Sequence, residues 1–238
     1  MVNIVNPQQN TRYTDLFEDC VFALDMKGDA LDFIGQNTTT VSGATLTTDR
    51  FGISDNAYYF DGSNDKITMD DSIIPMGTKS ISFWLSPDSL TDLNIIMTTT
   101  NLGGSGGTAV FVSNVTTNKL DIFEADGSIA SRIQSSTSIP VDSWSHWVYT
   151  WDGTTAADAV KIYYNGSIDN TETATSTQVG SASYTLAIGG GNITAYPWDG
   201  IIDKPKIWSR ALSSDEIKEL YQLELTKDIY PFMKEVTE

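Results

Sequence analysis

Apolar and polar residues alternate with a period of two through much of this chain. The clearest stretch is Ser80–Ser86, in which Ile81, Phe83 and Leu85 fall on one side and Ser80, Ser82, Trp84 and Ser86 on the other. Pro87 then stops the strand. Shorter strand-like runs occupy Cys20–Asp25, Ala57–Phe60, Asp65–Met69, Asn94–Thr100, Ala109–Ser113, Lys119–Ala125, Trp144–Trp151, Ala159–Tyr164, Tyr184–Ile188 and Ile201–Trp208. Turn pairs punctuate them: Asp61-Gly62, Asp126-Gly127, Asp152-Gly153 and, the strongest hairpin signal, Asn165-Gly166. Only Ser213–Leu220 has helical spacing, and Ser213 with Glu216 forms the Ser-x-x-Glu pattern of a capping box. Many short strands, one short helix and no internal repeat predict an all-β, antiparallel two-sheet jelly-roll sandwich. Residues 1–18 read as an N-terminal arm, 19–222 as the jelly-roll domain and 223–238 as a C-terminal tail.

Composition narrows the function classes. The 238 residues carry a net charge of −17, which repels phosphate backbones and anionic lipid, so neither nucleic acid nor a membrane is an expected partner. The same charge gives solubility and an attraction for cations. One cysteine, Cys20, allows no intrachain disulfide and reads as a small buried apolar residue. With His146 as the only histidine, a Cys/His zinc site is excluded and a Ser-His-Asp triad disfavoured; His146 reads as a packed core residue. A metal would need oxygen ligands, as calcium or magnesium do. The first residues show no basic start followed by an apolar run, and no 18-residue apolar stretch occurs. The expected location is therefore the cytoplasm, or a virion or extracellular setting reached by lysis. Asn-x-Ser/Thr matches at Asn37, Asn114, Asn165 and Asn192 carry no weight as glycosylation sites without a secretory signal.

Five segments, in order, resemble the laminin-G-like, concanavalin A-type jelly rolls. They are LTTDRFGISDNAYYFDGSNDKI (46–67), SISFWLSP (80–87), WSHWVYTWDG (144–153), VKIYYNGS (160–167) and DGIIDKPKIWSRALSSDEIKELY (199–221). The resemblance implies a sandwich closed by its first and last strands. It also implies a structural calcium where those strands meet, bound by the Gly62 carbonyl and by the side chain and carbonyl of Asp203, with Asp25 completing the set. Asp203 shares strand parity with Ile201 and Ile207, which turns it inward, where a carboxylate needs a partner or a metal. The alternative for Asp61 and Asp203 is a turn-capping role through their own backbone.

Aromatic rings offer a second kind of site, because the apolar faces of sugars stack on them. Trp84, Trp151, Tyr163, Tyr196 and Trp198 are the candidate glycan platform, with core filling as the competing reading. Tyr196 and Trp198 lie in a loop, AYPWDG, where packing explains aromatics less readily. Trp144 and Trp147 read as core.

Catalysis finds little support. The Glu-x-Asp-x-x-Glu motif that the resemblance ties to retaining glucanases is missing, and the nearest string is LDIFEADG. Asp121 and Glu124 differ by an odd number of residues and so face opposite sides of a strand. The glycine-rich loop Gly103–Gly107 lacks the Lys-Ser/Thr and the helix start of a phosphate loop. The expected function is a non-catalytic recognition or structural module, without catalytic residues. It would bind glycan or a protein surface and serve as part of a larger assembly or homo-oligomer, such as a virion decoration or fibre component. The alternatives are a purely structural assembly subunit without sugar binding and a glucanase dependent on Glu124.

Overall fold

The structure is a computed structural model and describes residues 15–69, 73–91, 93–100, 106–113, 118–125, 129–177, 185–191 and 196–226. The Asp126-Gly127 turn, Tyr184, most of the Gly103–Gly107 loop, the Asn114 and Asn192 sequons, and residues 1–14 and 227–238 of the arm and tail lie outside this set.

Fifteen strands are described. They are β1 (Cys20–Ala23), β2 (Thr39–Ser42), β3 (Thr45–Thr47), β4 (Ala57–Asp61), β5 (Lys66–Met69), β6 (Lys79–Pro87), β7 (Leu93–Thr98) and β8 (Gly107–Ser113). Then follow β9 (Lys119–Ala125), β10 (Ile129–Ser138), β11 (Ser145–Trp151), β12 (Val160–Tyr164), β13 (Ser167–Glu172), β14 (Ala187–Ile188) and β15 (Asp199–Trp208). One helix, α1 (Ser214–Glu224), comes last.

The strands form two antiparallel sheets. The first runs β13-β12-β11-β6-β15-β4-β3, with β1 added on β15; the second runs β10-β9-β8-β7-β14-β5-β2. This is the expected jelly-roll sandwich. β4 and β15, from the first and last of the matching segments, pair as the resemblance implied, with Asp61 opposite Asp199. At the far edge Asp169 of β13 accepts from the amides of Ser136 (2.6 Å) and Thr137 (3.0 Å) on β10, joining the two sheets.

Inward-facing residues of both sheets build the main core. Ile81, Phe83 and Leu85 meet Trp147, Tyr149, Trp151, Trp198 and Ile202 there. The outer face of the first sheet is covered as well, because Val148, Tyr163 and Trp208 pack under Leu212, Ile217 and Leu220 of the α1 segment. Ile217, Leu220 and Glu224 repeat at helical spacing and form the buried stripe of α1. The predicted capping box is present: the Ser213 side chain accepts from the Glu216 amide, and the Glu216 carboxylate accepts from the Ser213 amide. Asn165 (φ 48°) and Gly166 (φ 76°) form the predicted β12–β13 turn, and a Cβ at Gly166 would lie 2.9 Å from the Tyr221 ring.

The packed body extends past the boundaries read from the sequence. Leu16 is buried and its carbonyl accepts from Trp208 Nε1 at 2.8 Å. Glu224 is buried under α1.

Candidate functional site

Four of the five expected platform rings show solvent almost no surface. Trp84 sits beneath α1, where its Nε1–H donates to Glu224 Oε2 at 2.6 Å and Tyr221 stacks on it at 5.7 Å. Trp151 and Trp198 belong to the main core, and Tyr163 lies under α1 with its hydroxyl 3.1 Å from Ser214 Oγ. These four rings offer no open stacking platform, because a helix and a second sheet cover both faces of this sheet; of the four, only Tyr163 borders the cleft described below. Tyr196 alone is open, at 40% exposure, held at φ 65° directly before Pro197. Trp147 is core as expected, and Trp144 is half-buried.

The three residues assigned to calcium are not brought together. Gly62 donates its amide to the Trp198 carbonyl beside Asp199. Asp203 lies four residues further along β15, about 13 Å away at ~3.3 Å per residue, far beyond shared coordination. Asp25 Oδ1 meets Lys204 Nζ at 3.4 Å. Nor does Asp203 face the interior with Ile207. A β-bulge between Asp203 and Lys206, with Lys204 at φ 52°, changes the parity. Asp203 and Lys206 thus both point to the outer face, opposite Trp84 and Ser82, while Ile207 points into the core.

There Asp203 joins a buried polar cluster beneath α1. Its Oδ2 accepts from Arg50, which also bonds the Glu224 carbonyl. Lys206 Nζ donates to Glu224 Oε1, and Ser82 Oγ lies 2.9 Å from His146 Nε2. Burial pushes Asp203 up to about 6 and His146 down to about 4. Burial also works against ionised Glu224, but Lys206, His146 and Arg50 outweigh it and hold the carboxyl at about 2. His146, read as a packed core residue, is a buried member of this cluster.

Glu124 and Asp121 do face opposite ways. Asp121 receives a two-point contact from Arg132 at 3.0 and 2.6 Å. Glu124 is sealed between the sheets, where Lys79 Nζ (2.9 Å) and Thr108 Oγ1 (2.7 Å) donate to Oε2. Burial lowers the Lys79 ammonium's pKa despite the opposing carboxylate. Cys20 is buried and its thiol is pushed up to about 12, chiefly by burial.

An open cleft of about 290 Å³ lies on the outer face of the first sheet, beside the start of α1. Thr150 of β11 and Lys161 of β12 are register partners, and with Tyr163 they form its floor. Asp152 and Asp158, from the β11–β12 connection, stand on one side; Leu212, Ser213 and Ser214 stand on the other. Thr150 is only 3% exposed, yet its hydroxyl has no hydrogen-bond partner among the described residues. The half-buried Lys161 ammonium has none there either. The Thr150 hydroxyl opens on the cleft, where water or a polar ligand meets it. The sequence held one signal for this place, the shared parity of Lys161 and Tyr163. That α1 would wall it in was not visible there.

A family model described as the concanavalin A-like lectin/glucanases superfamily matches residues 61–218. Among solved structures, domain 4 of AbnA, a GH43 extracellular arabinanase from Geobacillus stearothermophilus in complex with arabinotriose, superposes with a TM-score of 0.67 at 19% identity. That match covers 86% of this chain and 98% of the other. The botulinum neurotoxin serotype D ligand binding domain in complex with N-acetylneuraminic acid gives a TM-score of 0.70 at 17% identity, over 89% of this chain and 52% of the other. The botulinum neurotoxin type G receptor binding domain gives 0.67 at 20%, over 87% and 51%. The chain thus spans about half the length of the toxin domains, and at these identities the likeness is one of fold. A search of curated protein sequences finds no match.

Proposed function

The chain belongs to the concanavalin A-like lectin/glucanase superfamily, and from that premise we propose that it is a non-catalytic recognition module that binds glycan in the cleft beside α1. The observation that carries this reading is the cleft lining, where the Thr150 hydroxyl and the Lys161 ammonium lack partners among the described residues and open on the cleft. Hydroxyl and ammonium donors beside carboxylate acceptors match the alternating donors and acceptors of sugar hydroxyls. Two structures of similar fold hold sugars, which makes a glycan a reasonable first ligand class. The non-catalytic part rests on Glu124, whose carboxylate faces Lys79 in the interior and not a cleft.

A glycan array probed with the full chain tests this. Binding is expected, and Thr150→Val and Lys161→Met, each with an unchanged melting curve, should each reduce it tenfold or more. A blank array, or binding indifferent to both substitutions, overturns the glycan reading in favour of a purely structural subunit. Release of reducing sugar that stops in Glu124→Gln overturns the non-catalytic part.

A further inference from the structure

The cleft's charge selects among sugars, an inference that rests on the glycan reading above. We propose that it takes an uncharged glycosyl residue and rejects residues bearing a carboxylate.

Asp152, Asp158 and one ammonium, Lys161, line the cleft, inside a chain of net charge −17. An anionic sugar would meet two carboxylates for each cation. The start of α1 does not reverse this balance. The Ser213–Glu216 capping box answers the Ser213 and Glu216 amides, and Asp215 and Glu216 add two carboxylates in the first turn. Glu216 is in turn paired with Arg210 at 2.7 Å, which takes that cation out of play.

The carboxylates are held as acceptors for hydroxyls. Asp152 Oδ1 accepts from the Thr154 amide (2.8 Å) and hydroxyl (2.7 Å). Asp158 Oδ1 accepts from Thr171 Oγ1 at 2.6 Å, on a backbone held at φ 61°. Each therefore fixes one oxygen and leaves Oδ2 without a partner among the described residues. A carboxylate oxygen only accepts, so it suits a hydroxyl and disfavours another carboxylate. Lys161 and Thr150 supply donors from the floor, and buried Leu212 offers an apolar surface to the ring's C–H face.

Titration calorimetry on the full chain, with a panel of neutral methyl glycosides and their uronate counterparts, tests the proposal. At least one neutral methyl glycoside should bind, and its uronate counterpart at least tenfold more weakly. In Asp152→Asn/Asp158→Asn the gap between the two should close. A uronate that binds as well as or better than its neutral counterpart overturns the charge argument. Silence across both the panel and the array overturns the glycan reading itself, which separates the two failures.

Discussion

Trp84 and Glu224, 140 residues apart in sequence, are joined by a 2.6 Å hydrogen bond from the indole Nε1–H to the carboxylate. The bond ties the middle of β6 to the last turn of α1. Glu224 reaches that place because it sits seven residues after Ile217, on the same helical face. Lys206, presented outward by the β15 bulge, meets the other carboxylate oxygen.

Glu224→Gln should therefore cost about 3–5 kcal/mol near neutral pH, because it leaves Lys206 buried without its counter-charge. Its carboxyl stands near 2 in the fold, below its ordinary 4.5. The stabilisation is then present above pH 4.5 and disappears as pH falls through 2. Urea unfolding at several pH values should show the gap between wild type and variant shrinking over that window. A gap independent of pH would refute this account.

Asp203 and His146 pull the pH profile in opposite directions. His146, lowered to about 4, contributes stability above pH 6.5 that is lost as pH falls through 4. Asp203, raised to about 6, contributes stability below pH 3.8 that is lost as pH rises through 6. Its Oδ1 has no partner among the described residues and is free to carry the proton, while Arg50, Lys204, Lys206 and Glu224 surround it. Each contribution amounts to about 3 kcal/mol, so the two largely cancel between pH 6.5 and 4. In Asp203→Asn only the His146 part remains. That variant should lose about 3 kcal/mol more than wild type on acidification across this window, read from urea midpoints.

The Lys79–Glu124 pair lies between the sheets with Thr108 as a third member. Lys79→Met alone should cost about 3–5 kcal/mol by stranding a buried carboxylate. Lys79→Met/Glu124→Met should lose less than either single change, since apolar side chains of similar size need no counter-charge. Denaturant titration of the three variants forms the cycle, and strict additivity would count against a coupled pair.

Metal dependence offers a simple check on how the sandwich closes. Asp25 and Asp203 are already answered by lysine and arginine, and Gly62 lies apart from them. Chelator should therefore move the melting temperature by less than about 1 °C, under the ~2–4 °C that 1 kcal/mol produces in a domain of this size. A larger drop, restored by calcium, would point to a site built from other residues.

The alternation in Ser80–Ser86 was enough to place Ile81, Phe83 and Leu85 in the core, because a strand's side chains have only two directions. The same rule failed for Asp203. A bulge adds one residue to one strand only, and nothing local in the sequence marks it. Trp84 was assigned correctly to the face opposite Phe83, yet that face is buried too. Burial there depends on α1, which arrives more than 120 residues later.

The sequence by itself thus determined most of the strands, the capped helix and the sandwich, since each follows from local periodicity and turn chemistry, while β2, β3, β10 and β13 went unread. Only the tertiary structure decided which aromatic rings meet solvent, which charges neutralise one another, and where a cleft opens. Those outcomes depend on segments far apart in the chain packing against one another. The Trp84 ring is buried because Glu224 and Tyr221 lie on it, and the cleft exists because the start of α1 stops beside Thr150 and Lys161.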